Sequence, residues 1–340
     1  MGHQEPLRWI GTNVRRSAPA VRHESAYKER PMAVTTPVLL MGFNRPDTMA
    51  VVFERLRELQ PTRLFLAVDG PRADCPAEAD KVQQCRDLAE HVDWDCEVRT
   101  LFQDENLGCG LGVSTAITWF FDQVEEGIIL EDDIVPDASF FGFCSELLDR
   151  YRDDHRVFAI SGANLVPRHK LTRPDDAYRF TQVTHIWGWA TWRRSWQQHR
   201  LDIADWRDRL PVHRLWKRSG RSLPGTIFWG STFEILGRKQ IDTWDGQLVL
   251  AAMASGQLTA ISNVCLTENI GFGDDATHTV NAMDHVLTVE PIPLPTEPVP
   301  VRVDERADAW TRKHHFGATL PGVARFAVKY IQRKRKGIAL

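Results

Sequence analysis

No stretch of this 340-residue chain approaches the ~18 uninterrupted apolar residues that cross a bilayer as a helix. The residues up to Arg30 hold no apolar run long enough for the core of a secretory signal, so nothing there argues for export. Cysteine is sparse: Cys75, Cys85, Cys96, Cys109, Cys144 and Cys265 are scattered without a C-x-x-C pair or zinc-finger spacing. Thiols placed singly in apolar segments read as buried and free, which suits a reducing compartment and a cytoplasmic location. Charge of either sign is not in excess. A net −3 gives no global reason to expect nucleic acid as a partner. There is no G-x-x-x-x-G-K-[ST] phosphate loop. The run Gly108-Cys109-Gly110-Leu111-Gly112 lacks G-x-G-x-x-G spacing and comes after the third apolar run rather than the first, so it is not read as a dinucleotide loop.

What is present is a βα alternation. Val38-Leu39-Leu40-Met41, Leu64–Val68, Cys96–Phe102, Gly127–Leu130 and Val157–Ile160 are short apolar runs of the kind that form buried parallel strands. Helical patterns separate them. One is capped by Asp47, with Val51, Val52, Leu56 and Leu59 on its apolar face. Others cover about Ala77 to Val92, Val113 to Phe121 and Ala138 to Tyr151. Such alternation predicts an α/β fold with a mostly parallel central sheet flanked by helices, and ligands in such sheets bind beyond the carboxyl ends of the strands. The polar groups at those ends are Asn44-Arg45, Asp69-Gly70, Asn106 and Glu131-Asp132-Asp133.

Around this block the texture changes. Residues 1–35 are polar, Arg-rich and aperiodic, and read as a flexible tail. From about 180 onward tryptophans crowd the chain, Trp187, Trp189, Trp192 and Trp196 among them, and this part reads as the second half of one domain spanning 36–285. The segment 286–301 is Pro-rich and reads as a stiff linker. Residues 302–340 form a basic tail: beyond Trp310 there is no acid, and eight Lys or Arg occur up to Lys336. Gly322 to Lys336 suits a basic amphipathic helix, either simply solvated or held at an anionic membrane face.

Three consecutive carboxylates after a buried strand repel one another and resist desolvation, so something must compensate them. A divalent Mg²⁺ or Mn²⁺ does so, taking one or two carboxylates and filling its remaining positions with phosphate oxygens and water. The plainer alternative is a solvated acidic turn leading into the next helix.

The string Ile129-Leu130-Glu131-Asp132-Asp133-Ile134-Val135-Pro136-Asp137, with Phe140-Phe141 after it, resembles the metal motif of GT-A-fold glycosyltransferases, the family of the Golgi N-acetylglucosaminyltransferase that begins complex N-glycan branching and of related bacterial sugar transferases. Further pieces match in order over roughly 36 to 282: Val38–Arg45, Leu64–Asp69, Ser161-Gly162-Ala163-Asn164, Trp187-Gly188-Trp189, Trp244-Asp245 and Gly271–Thr279. The resemblance implies a metal-dependent, inverting transfer of a hexosyl unit from a nucleotide-diphosphate sugar, with UDP as the nucleotide, to a glycan or lipid-linked acceptor. It implies Asp133 as the metal ligand, with His278 of a closing loop near metal or phosphate. Glu131, Asp132, Arg45, Asp69 and Asn106 would contact the donor, and Trp187 and Trp189 the acceptor. Asp245 would be the base. The family motif is Trp-Asp-Asp-Trp, whereas this chain reads Trp244-Asp245-Gly246-Gln247 with one acid, and an N-cap of a helix over Gly246–Ala254 is the competing role for Asp245, compatible with the first. Arg45 and Asp69 also suit ordinary turns, and core packing accounts for most tryptophans.

Two other classes stay open. A sugar-1-phosphate nucleotidyltransferase would carry a Gly-rich loop with Arg and Lys after the first strand, and Gly42-Phe43-Asn44-Arg45-Pro46 is not one. A non-catalytic carbohydrate- or nucleotide-binding protein on a degenerate transferase fold is compatible with the missing second acid.

Overall fold

The computed structural model describes residues 34–271 and 288–325. The elements run β1 (Val38–Gly42), α1 (Pro46–Leu59), β2 (Arg63–Val68), α2 (Glu78–Asp87), β3 (Glu97–Phe102), α3 (Gly108–Phe121), β4 (Glu126–Glu131), β5 (Ile134–Pro136), α4 (Ala138–Arg150) and β6 (Val157–Ser161). They continue with β7 (Tyr178–Thr181), β8 (Trp189–Trp192), α5 (Arg193–Trp196), α6 (Trp206–Arg209), α7 (Val212–Arg218), α8 (Leu223–Gly237), α9 (Asp245–Ser255), β9 (Leu258–Ser262), β10 (Thr267–Asn269) and α10 (Glu305–Trp310).

Eight strands form one sheet in the order β3-β2-β1-β4-β8-β6-β9-β7. β3, β2, β1 and β4 are parallel, β8 is antiparallel to both its neighbours, β6 and β9 are parallel, and β7 closes the far edge antiparallel. The architecture is therefore α/β with a mixed, mostly parallel sheet. Four of the five apolar runs, those of β1, β2, β4 and β6, are strands buried on both faces; Val38 to Leu40, Leu64 to Leu66 and Ile128 to Leu130 are fully buried. The β3 edge is instead half exposed and carries Glu97 and Arg99, charges that discourage pairing with another chain.

One core lies under α1, α2 and α4, with Phe53, Leu56, Phe140, Phe143 and Leu147 against the strands. The second lies on the other face under α3, α5 and α9, with Phe120, Trp189, Trp196, Trp244 and Leu248. A third, built of Trp206, Leu215, Phe228, Trp229, Phe233 and Leu250, joins α6 to α9. Apolar burial of this kind is worth about 25 cal/mol per Å², so the aromatic second half is a structural asset before it is anything else.

Several local expectations change. α1 starts at Pro46, whose fixed φ suits the first helical position, and no side chain caps it; Asp47 sits in the first turn. Met49 and Phe53 share its buried face, whereas Val51 is 49% exposed. The Pro-rich run is extended but lies against the body rather than apart from it. Val299 N–H donates to the Tyr178 hydroxyl at 3.1 Å, Arg150 donates to the Pro295 carbonyl at 2.6 Å, and Ile292, Val299, Val301 and Val303 pack on the first core. No helix among the described residues is long and apolar enough to cross a membrane.

Candidate active site at the carboxyl edge of the sheet

β1 and β4 lie side by side in register, Met41 beside Glu131, so the turns leaving the two strands must meet. Arg45, three residues past β1, grips Asp132 through Nε (3.1 Å) and Nη2, and its Nη1 lies 3.0 Å from Asp133 Oδ2. The Asp132 side chain is only 6% exposed. Burial pushes its carboxyl up to about 6 even though Arg45 opposes the shift. Glu131 is raised well above the usual carboxylate range, first by burial and then by Asp133, Asp132 and Asp245, with Arg45 opposing, and it makes no ion pair among the described residues. The resemblance implies Arg45 as a donor contact. In this structure it is the counter-ion of the acidic turn.

Asp69 closes β2. Its carboxylate accepts from Gly70 N–H (2.9 Å), Leu107 N–H (3.0 Å) and Asn106 Nδ2 (3.0 Å), and Asn106 also donates to the Gly70 carbonyl. Asp69 and Asn106 are thus brought together, but as a clasp that ties the end of β2 to the start of α3. Burial raises Asp69, while the N–H groups of Leu107, Gly70 and Gly108 oppose the rise.

α3 begins five residues before its predicted start. Gly108 turns the chain at φ +79°, a conformation suited to glycine. The orphan N–H groups of Cys109 and Gly110 then both donate to Asp242, each at 2.9 Å. A Cβ on Gly108 or Gly110 would sit 2.5 Å from that carboxylate. The glycine run is therefore a socket for Asp242. The spacing of the glycines was the available signal, but their partner lies more than a hundred residues away. Cys109 faces into this group, and its thiol is held protonated by burial first, then by Glu131, Asp245, Asp242 and Asp69.

Asp245 opens α9 and is exposed. Its Oδ1 accepts from Thr243 Oγ1 (2.5 Å) and from Gly246 N–H (2.8 Å), while Oδ2 carries no hydrogen bond among the described residues. A helix cap accepts from the second or third N–H of the first turn; Asp245 accepts from the next residue instead, so the capping role is not the one adopted. Trp244 fixes its place: that ring stacks on Trp189 (5.9 Å, 25°), and the Trp244 carbonyl bonds His199 Nε2 at 3.1 Å. His199 stacks flat on Trp196 at 4.3 Å.

Burial depresses His199 to about 4, the Trp244 carbonyl opposing. The unfolded chain has its histidines near ~6.5. A pKa lowered on folding gives stability that is present above the unfolded value and is lost as pH falls toward the folded one. His199 should therefore cost about 2 kcal/mol by pH 5 relative to pH 8. Urea unfolding of wild type and His199→Gln at the two pH values measures it: the variant should lose less stability on acidification, and equal losses would contradict the assignment.

Trp189 is fully buried in β8 and has no face left for an acceptor, which corrects its predicted role; its burial fills the second core. Trp187 is half-buried, packs on the first core and accepts from Thr267 Oγ1 at 2.7 Å through its carbonyl. His278 and most of the Gly271–Thr279 loop lie outside the described residues. Gly271 abuts the Asp133 carboxylate so closely that a Cβ there would overlap it.

Among the described residues no three His, Cys, Asp or Glu side chains converge as a metal-holding group. A hard cation bound with a nucleotide needs only one or two protein carboxylates. Asp132 is enclosed and gripped by two Arg45 nitrogens; Asp133, which meets Arg45 through one nitrogen and keeps 16% of its side chain exposed, and Glu131, which has no ion-pair partner among the described residues, fit that smaller demand.

No protein-family model matches the chain, and no curated protein matches it in sequence. Among solved structures, HddC from Yersinia pseudotuberculosis aligns with 11% identity over 47% of this chain and 78% of its own, at a TM-score of 0.31. A likeness that slight carries no argument.

Proposed function

We propose that the chain is a metal-dependent glycosyltransferase of the GT-A type, taking a sugar from a UDP-linked donor to a glycan or lipid-linked acceptor by an inverting displacement. One observation carries the reading: the carboxyl ends of β1 and β4 gather Arg45 and the triplet Glu131-Asp132-Asp133, and the Asp245 charge adds to the burial and the neighbouring Asp133 and Asp132 that raise Glu131. In this reading Asp133, with His278 from the loop beyond Gly271, holds Mg²⁺ or Mn²⁺. The ion supplies neutralising charge for the departing diphosphate. Arg45 holds the triplet in place and adds positive charge beside it. Asp245 Oδ2, left without a donor, takes the proton of the acceptor hydroxyl as its oxygen bonds the anomeric carbon; the bond from that carbon to the diphosphate breaks, and its electron pair leaves with the nucleotide. Oδ1, held by Thr243 and Gly246, keeps the carboxylate aimed. Trp187 is the remaining candidate for the acceptor side.

The engagement of both Asp132 and Asp133 by Arg45 favours a second reading, in which the guanidinium is the only cation the turn requires and the fold binds ligand without transfer. Incubating the protein with a panel of UDP-sugars and Mn²⁺ separates the two. Release of UDP that stops on chelation supports transfer; no release from any donor sugar, with the protein folded and binding nucleotide, supports the second reading.

A further inference from the structure

Nine large apolar side chains are exposed among the described residues, and five of them belong to one region: Val212 (63%), Trp216 (40%), Leu223 (56%), Ile227 (38%) and Leu320 (63%). Val212 and Trp216 are four residues apart on α7, so they share a helical face; Leu223 and Ile227 do the same on α8. The two helices pack on each other and are joined by the four residues 219–222. Leu320 arrives beside them because Arg312 lies against Gly220 and Gly225, Phe316 packs on Trp229, and Ala318 enters the same core as Phe228. A half-exposed tryptophan and four aliphatics on adjoining helices are more than the scattered surface apolar residues a soluble protein shows.

The charge around them has one sign. From Arg209 to Phe233 the chain has no Asp or Glu, and it carries Arg214, Lys217, Arg218 and Arg221. Arg214, Lys217 and Arg221 are exposed, and Lys217 and Arg221 make no ion pair among the described residues. By composition the same bias continues where the description ends: residues 326–340 contain five Lys or Arg and no acid. Arg214 and Arg218 anchor this face to the body by donating to the Ala254 and Gly256 carbonyls, at the carboxyl end of α9. Asp245 stands at the opposite end of that helix, about 16 Å away for its 11 residues.

We propose that the α7–α8 face, with Leu320, is a docking surface for an anionic lipid bilayer. Aliphatic side chains and one tryptophan would enter the headgroup boundary, and Lys217 and Arg221 would meet acidic headgroups. The apolar component favours lipid over an acidic polypeptide or nucleic acid, which Lys and Arg alone would serve. This inference does not depend on the transfer reading. It places membrane contact on a folded face, whereas composition left the tail open between a solvated helix and a membrane contact.

The test is vesicle co-flotation of the full chain at low salt, using phosphatidylcholine alone and phosphatidylcholine with about one third phosphatidylglycerol. The expected result is binding to the anionic vesicles only, weakened by salt. Lys217→Glu/Arg221→Glu should lower that binding by about thirtyfold or more, from roughly a factor of five per basic residue lost. Trp216→Ala should lower it without changing the salt dependence. Trp216, Lys217 and Arg221 are exposed, and an unchanged melting temperature confirms that the variants fold. Failure of the wild-type chain to bind anionic vesicles overturns the proposal, as does equal binding to neutral ones. So does a result in which Lys334→Glu/Arg335→Glu abolishes binding while the face variants bind like wild type, or one in which poly-glutamate binds and vesicles do not.

Discussion

Arg45→Met should lose about 3 kcal/mol of folding stability at pH 8, and most of that loss should disappear at pH 5. Removing one partner of a buried ion pair leaves the other charged and desolvated, at a typical cost of about 3–5 kcal/mol. The lower figure applies because Arg45 keeps 23% of its side-chain surface. Asp132 is nearly enclosed and is already pushed up to about 6 with Arg45 in place. Without the guanidinium its folded-state pKa rises further. A carboxyl raised on folding gains stability as pH falls below that raised value, so at pH 5 the variant takes up a proton and the uncompensated charge is gone. Urea unfolding with chelator present, at the two pH values, reads this directly. A loss independent of pH would locate the defect in packing; no loss at pH 8 would mean the triplet does not need Arg45.

Asp245→Asn should leave nucleotide affinity nearly unchanged and lower turnover by a factor of about a hundred or more. Asn can still accept from Thr243 Oγ1 and Gly246 N–H, so the start of α9 and the Trp244 stack on Trp189 are preserved. What it loses is a basic Oδ2. A proton acceptor used only during transfer shows in kcat, whereas an acid that merely shapes the pocket shows in KM. Steady-state rates of UDP release with a competent acceptor give the two constants. Wild-type kcat in this variant would remove the base assignment, and a loss confined to KM would make Asp245 a binding residue.

The strands were legible because a parallel strand buried on both faces must be a continuous apolar run, as Leu64 to Val68 is. β7 and β8 were not legible as strands. Trp189–Trp192 is four residues long, has no alternation that distinguishes it from packing aromatics, and finds its partners in β4 and β6 well upstream. Its antiparallel insertion at the middle of the sheet is a tertiary fact. The triplet was legible as a place where charge needs compensation, and Arg45 as a nearby cation. That the two meet each other comes from the register of β1 with β4, which single-sequence patterns do not contain. Asp242 was invisible for the same reason: it caps α3 from a loop that is distant in sequence, and only the glycines that make room for it left a trace. Trp189 shows the reverse error, where an aromatic suited to a sugar face was needed more by the core.

The central claim is that the acidic turn at the end of β4 holds a nucleotide through a divalent ion. Calorimetric titration of wild type and Asp133→Ala with UDP, GDP and dTDP, with and without Mn²⁺, tests it most directly. The account predicts that UDP binds wild type only with Mn²⁺ and does not bind the variant. Binding of no nucleotide to the folded wild-type chain, or unchanged Mn²⁺-dependent binding in Asp133→Ala, would contradict it.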